Sequence, residues 1–321
     1  MFTNSVTMYD KVKIWIDRAI VGEQYPTIAN YLDSAKEETD LKTGEVRTFG
    51  SLDELKVSVY GNGLYIVGSL PKYLHGSNIY PLSRETTTQA FEKMADALHL
   101  SMAEAKITGF EFGTTFPMRC RPQEYLDRLG IMPRLLQYRF NQNTLYYRHR
   151  GRQQHKTFCF YDKIAEAKAN QMPIPDGLQD ANLLRCELRL NGRLPYQMGV
   201  PEVTASTLSE KPFYRKTMQL FQDGYYSISK LNQLKTDIMG EIKTVSDAFD
   251  VLVARLISQS DKTQIQAFLE EIKRADVFKN RVDYTRLRQK IEKVVNKANI
   301  STSDKLIKEL DDDFKNIGAY V

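Results

Sequence analysis

The stretch "LKVSVYGNGLYIVGSL", residues 55 to 70, constrains this chain more than any other. Apolar and polar residues alternate on either side of Gly61-Asn62-Gly63, and such a pair of runs around a turn of this kind is a β-hairpin. A chain that commits to a tight hairpin commits to antiparallel pairing. The same period of two recurs in "KVKIWI", "AKITGFEFGTTF", "KTFCFYDK" and "LLRCELRLNG". "LLQYRF" and "NTLYYRHR" read as strands joined at Asn141 to Asn143, and "LKTGEVRTF" as a shorter hairpin. Single helices interrupt them. Ser83, with Thr86 to Thr88, opens one whose Phe91, Met94, Ala95 and Leu98 fall at helical spacing. "RPQEYLDRLG" reads as a short helix stopped by Gly130, and "IAEAKAN" as another, followed by the loop "QMPIPDGLQDAN".

After Pro201 the period changes to that of amphipathic helices, in "KTMQLFQDGYYSISKLNQLKTDIMGEI", "VSDAFDVLVARLI", "TQIQAFLEEIKRA", "YTRLRQKIEKVVNKA" and "SDKLIKELDDDFKNI". Ser246-Asp247 and Ser303-Asp304 are expected helix starts. The fold class expected is α+β: an antiparallel-sheet domain over residues 1–200, followed by a mostly helical region over 201–321. No internal repeat shows in the sequence.

Charge narrows the partner. The net charge is only +5, yet Arg119 to Lys163 holds ten Arg or Lys against three acids. A basic stripe inside a balanced chain is the footprint of a phosphate-binding face. "LYYRHRGRQQHK" adds aromatics suited to base stacking, with Arg148, Arg150, Arg152 and Lys156 as backbone contacts. No apolar run approaches the ~20 residues that cross a bilayer, and the start lacks the pattern of a secretory signal. Three cysteines without C-x-x-C spacing fit neither a disulfide framework nor structural zinc. A cytoplasmic protein is expected.

The candidate chemistry lies at strand ends and on strand faces. Glu111 points away from Phe110 and Phe112, and Glu187 shares a face with Arg185 and Arg189. Carboxylates on neighbouring strands can hold Mg²⁺ or Mn²⁺ through oxygen, and a cross-strand ion pair is the plainer reading. His155 is a further candidate ligand, although six residues, roughly 20 Å of extended strand, separate it from Tyr161. Tyr161 ends an apolar strand beside Lys163. A phenol is a weak nucleophile at neutral pH, and a lysine or a metal ion can stabilise its phenolate. Walker loops, G-x-S-x-G elbows and H-E-x-x-H motifs are absent.

Residues 55 to 195 resemble the phage and plasmid replication proteins of the gene II/X family. The resemblance is carried by "SLPKYLHGSN", by "FYDK" with Glu166, and by "RCELRL". It implies a rolling-circle initiator that nicks one strand of an origin, single-stranded or extruded, forms a 5′-phosphotyrosine and later rejoins the strand. By position, Tyr161 would be the nucleophile, Lys163 its partner, and Glu111 and Glu187 the holders of a divalent metal ion. Arg185 and Arg189 would join the DNA contacts. Two departures stand out: Gly109-Phe110-Glu111 replaces the Arg-x-Asp of related plasmid initiators, and the His-hydrophobe-His motif of the wider nickase class is missing. Tyr146 or Tyr147 could serve as a second tyrosine. The C-terminal helices carry no matched motif; reading origin duplex, pairing two copies and recruiting a host helicase are all open to them. The alternatives are a non-catalytic DNA-binding replication or partition factor, and a metal-dependent nuclease that uses water.

Overall fold

The computed structural model describes residues 8–79, 82–151, 154–230, 233–234, 239–259, 262–297, 301–302 and 304–317. Arg152 and Ser303 lie outside them. The chain divides into two compact units, one of residues 1–126, 132–227 and 312–321, the other of residues 127–131 and 228–311.

The first unit is built on ten antiparallel strands. They are β1 (Met8–Asp17), β2 (Asp33–Thr39), β3 (Val46–Leu52), β4 (Leu55–Tyr60), β5 (Gly63–Ser69), β6 (Lys106–Pro117), β7 (Leu136–Phe140), β8 (Thr144–Arg148), β9 (Lys156–Asp162) and β10 (Leu183–Asn191). Their order across the sheet is β2-β3-β4-β5-β1-β6-β10-β9-β8-β7. Counted outward from the central β1·β6 pair, the two halves repeat: β5 matches β10, β4 matches β9, β3 matches β8 and β2 matches β7. This duplication is one of topology, and so the sequence did not display it.

Between and after the strands come α1 (Arg18–Val21), a 3₁₀ stretch (Gly22–Tyr31), α2 (Leu70–His75), α3 (Arg84–Leu98), α4 (Pro122–Leu126), α5 (Lys163–Ala169), α6 (Leu194–Met198), α7 (Ala205–Ser209) and α8 (Lys211–Tyr226). Ser83 caps α3 through its side chain, as expected. Gly130 does not end α4, which stops at Leu126; a Cβ there would strike Ser229, whose carbonyl accepts from the Gly130 amide at 2.8 Å.

One face of the sheet is buried. Val12, Ile14 and Ile16 of β1, Val57 of β4, Leu64 and Ile66 of β5, and Phe110, Phe112 and Phe116 of β6 all lie there. In the second half α8 covers it. Phe112 meets Tyr214 at 5.3 Å and Phe158 stacks on Phe221 at 6.4 Å between ring centres. Phe314, near the C-terminus, closes the cluster against Tyr225 at 3.7 Å and Phe116 at 5.1 Å. These contacts move the expected domain boundary. Residues 201–227 belong to the sheet unit because the strands cannot bury their aromatic face without α8.

The second unit contains α9 (Val245–Gln259), α10 (Lys262–Arg274), α11 (Arg281–Val295), most of α12 (Lys305–Asn316) and a two-residue pairing of β11 (Gln233–Leu234) with β12 (Ser301–Thr302). The long helix expected over 216–242 ends at Tyr226. Thr244, rather than Ser246, opens α9: its hydroxyl accepts from the Asp247 amide while the Asp247 carboxylate accepts from the Thr244 amide. Asp304 starts α12 as expected, accepting from the Leu306 amide at 2.8 Å. Among the described residues, no helix is long and apolar enough to cross a membrane.

Candidate active site

The other face of the second half carries the polar cluster. Strand register decides its membership, because residues paired directly across a ladder share a face. Arg185, Glu187 and Arg189 of β10 sit opposite Tyr161, Cys159 and Thr157 of β9, and opposite Thr115, Gly113 and Glu111 of β6. Tyr146 of β8 pairs with Cys159. Gly113 makes room, since a Cβ there would meet the backbone and side chain of Glu187.

Glu187 is the hub and is only 2% exposed. Its Oε1 accepts from the Tyr161 hydroxyl at 2.8 Å and from Arg185 Nε at 3.0 Å; its Oε2 accepts from Arg189 Nη2 at 2.6 Å. The guanidinium groups of Arg189 and Arg185 hold its carboxyl down at about 2 against the cost of burial. Arg185, 1% exposed, also reaches Asp10 at 2.9 Å and Thr115 at 3.2 Å. Asp10 is steadied by Ser69 at 2.5 Å and Asn78 at 3.3 Å. A charge removed from water to this degree is tolerable only when paired and hydrogen-bonded, and each of these is.

Glu111 lies at the rim, 3.6 Å from Arg189. Desolvation and the charge of Glu187 push its carboxyl up to about 7. The two glutamates therefore share their environment unequally: Glu187 holds the negative charge and Glu111 tends to keep a proton.

The other expected residues fall as follows. Tyr161 is 7% exposed, and burial beside Glu187 pushes its phenol well above the ordinary value. Lys163 is buried at the start of α5, with Nζ 3.0 Å from both Asn78 and Glu166 and 6.0 Å from the centre of the Tyr161 ring. It bridges the tyrosine strand to the loop after α2. Arg185 is an internal counter-ion and not a DNA contact, because its side chain has no surface to offer. Arg148 and Arg150 are exposed, and Arg148 lies over the Tyr138 ring at 4.7 Å.

His155 does not join the glutamates. It precedes β9, at the far end of the strand from Tyr161, with Nδ1 3.0 Å from the Asn191 carbonyl. Lys156 points to the opposite sheet face, over the Phe158 ring at 5.4 Å. Together with His149, Arg193, Tyr196 and Asp223 these two line a separate cleft of about 690 Å³. The sequence reading took Arg119 to Lys163 as one basic stripe, but within β9 the pleat sends Lys156 to one face and Tyr161 to the other.

The expected metal site does not fit the donor set. Both oxygens of Glu187 are occupied by arginines and a phenol, so positive charge already sits where a cation would bind. Among the described residues, no group of three His, Cys, Asp or Glu side chains is gathered to hold one.

Sequence reasoning did not place Asp10 in the site, nor Ser69 and Asn78, which open and close the quoted "SLPKYLHGSN". Register shifts between Tyr9 and Val12 disturb the β1·β6 ladder, and a bulge of that kind re-aims side chains without changing the apolar pattern. Tyr146 was noted only as a possible second tyrosine. It is half-buried, and Arg148 and Arg189 lie 5.9 and 6.0 Å from its ring centre.

Among solved structures, the rolling circle replication initiator protein from Geobacillus stearothermophilus is similar over 73% of this chain and 89% of that one, at 12% identity and a TM-score of 0.38. No curated protein matches the sequence. The family described as the N-terminal part of the phage replication-associated protein, the gene II protein, matches residues 8–210, a span that holds all ten strands and the whole Glu187 cluster. The chain belongs to that family.

Proposed function

We propose that this replication-associated protein is a rolling-circle initiator that nicks and rejoins one DNA strand through a tyrosine on the Glu187 face. The observation that carries the reading is the gathering of tyrosines with Arg185, Glu187 and Arg189 on one sheet face, within a family tied to replication. The tyrosine hydroxyl gives up its proton to solvent as its oxygen attacks phosphorus. The bond to the 3′-oxygen breaks, that oxygen takes up a proton, and the 5′ end stays joined to the tyrosine as a phosphodiester. Reversal reseals the strand. One phosphodiester is exchanged for another, so no ATP is required. Arg189, partly exposed, is placed to stabilise charge developing on the phosphate, while Arg185 keeps Glu187 ionised beneath it. Nicking that persists in EDTA would leave the charge stabilisation to the arginines.

Tyr161 is the nucleophile the sequence singles out, and it must break its bond to Glu187 to act. A second reading assigns the attack to Tyr146, which is half-exposed on the same face; Tyr161 then positions Glu187. The experiment incubates end-labelled single-stranded origin DNA with wild type, Tyr161→Phe and Tyr146→Phe, with Mn²⁺ or EDTA, on a denaturing protein gel. A covalent adduct in the wild type establishes the transesterase, and the variant that loses it identifies the nucleophile. Binding without an adduct under any condition would leave a non-catalytic DNA-binding factor.

A further inference from the structure

The face that bears the Glu187 cluster continues across β1 into the first half of the sheet, where it changes character. Strand pairing places Trp15 beside Tyr65, Tyr65 beside Ser58, and Ser58 beside Phe49. Tyr60 lies one step along, 6.1 Å from Trp15 between ring centres, and Arg47 rests over Tyr60 at 5.5 Å. Trp15, Phe49, Tyr60 and Tyr65 are all half-exposed, although Val12, Ile14, Ile16, Val57, Leu64 and Ile66 on the reverse face are buried. Four partly exposed aromatic rings on adjacent strands need a reason, since each would bury more apolar area on the other face. Gly63 supports the arrangement: a Cβ there would strike the Trp15 indole, so the ring lies flat across β5.

Cations surround these rings. Lys11 and Lys56 are exposed and Lys13 is half-exposed; Lys11 pairs with Ser69, Lys13 with Val67, and Lys56 also with Val67, on the same face as the rings. Two acids of this face, Asp17 and Glu45, are engaged, while Asp33 and Glu38 on the edge strand are exposed. Asp17 accepts from the Trp15 indole at 2.9 Å and pairs with Lys106 at 3.4 Å, and Glu45 pairs with Arg47 at 2.8 Å. Glu38 lies across from Arg47 on the edge strand, with Lys36 across from Phe49. The surface is continuous with the candidate active site, because Lys13 pairs with Gly109 on β6, two residues from Glu111. Trp15 pairs with Lys106, seven residues along β6 from the Gly113 that faces Glu187, which is roughly 23 Å at about 3.3 Å per residue.

From this juxtaposition we propose that the first half of the sheet is a stacking platform for single-stranded DNA, holding the strand that enters or leaves the tyrosine site. Bases stack on Trp15, Tyr65, Tyr60 and Phe49, and the backbone follows Lys11, Lys13 and Lys56. Rings combined with cations on an exposed sheet suit single strands of any sequence; a duplex keeps its base faces covered and cannot use the rings. The duplicated fold thus divides its labour: one half-sheet reacts and the other grips. This inference rests on the proposed nicking activity for its biological sense, and its test is separate from that activity.

Trp15 is the sole tryptophan of the chain, so its fluorescence reports this face alone. The full-length protein is titrated with a non-cleavable single-stranded oligonucleotide of about 12 nucleotides and with the matching duplex. Single-strand binding should quench Trp15, and the duplex should quench it far less. Tyr65→Ala should weaken binding at least fivefold. Because that ring is half-buried, the double variant Lys13→Glu/Lys56→Glu provides a surface control, which should weaken binding about tenfold and lower its salt dependence. Melting curves confirm that each variant is folded. Quenching without any covalent adduct would keep the platform and remove the nicking reading; an adduct without quenching, or with platform variants that bind normally, would overturn the platform and leave nicking in place. Equal quenching by duplex would also overturn it.

Discussion

At the scale of single residues, Glu111 makes the clearest statement about pH. Its carboxyl is raised from 4.5 to about 7 by desolvation and by Glu187. Below 4.5 the folded and unfolded chains both hold that proton. Between 4.5 and about 7 the unfolded chain releases it while the folded chain retains it, so stability falls as pH rises through this window. Glu187 runs the other way: its carboxyl is depressed to about 2, and its contribution is lost only as pH falls from 4.5 toward that value. Glu111→Gln should therefore remove a decline of up to about 2–3 kcal/mol between pH 5 and 7.5. Urea midpoints of wild type and variant across this range check it; parallel curves would mean that Glu111 ionises normally. The face-sharing of Arg185, Glu187 and Arg189 was legible from spacing alone, because a strand has a strict period of two. That Arg185 would be inaccessible was not legible, since burial depends on Asp10 and Thr115 arriving from other strands.

At the scale of elements, α8 holds the reverse face of the site in place. Gly224 sits on its docking side, where an added Cβ would collide with the Phe158 ring. On an exposed helix Gly→Ala gains up to about 1 kcal/mol of propensity. Here overpacking, typically about 1–3 kcal/mol, opposes and outweighs that gain. Gly224→Ala should lower the urea midpoint, and a raised midpoint would show that Phe158 yields freely. Most strands were readable because half-buried positions alternate in hydrophobicity. β2 was not: "DSAKEET" is exposed at all seven positions and is held as an edge strand by backbone pairing with β3. The helix expected through residue 242 failed for a related reason, since amphipathic periodicity marks a face to bury without marking where packing stops.

At the scale of the whole molecule, the sheet unit draws on chain from both ends of the sequence. A fragment ending at residue 200 would lose α8 and Phe314 and expose Phe110, Phe112 and Phe158; it should aggregate where a longer chain stays monodisperse in size-exclusion chromatography. A soluble, folded 1–200 fragment would contradict the aromatic packing described for α8. The Asp10–Arg185 bond joins residues 175 apart in sequence. Contacts of such range form late, because the entropy of closing the intervening chain must be overcome before they return anything. At about 5–20 residues per second a ribosome needs roughly nine to thirty-five seconds to go from Asp10 to Arg185. The aromatic, basic half-sheet is complete in sequence by Ser69, well before Arg185 and Glu187 are made, so on the two readings proposed above the growing chain would gain its grip on a strand before its means of cutting one.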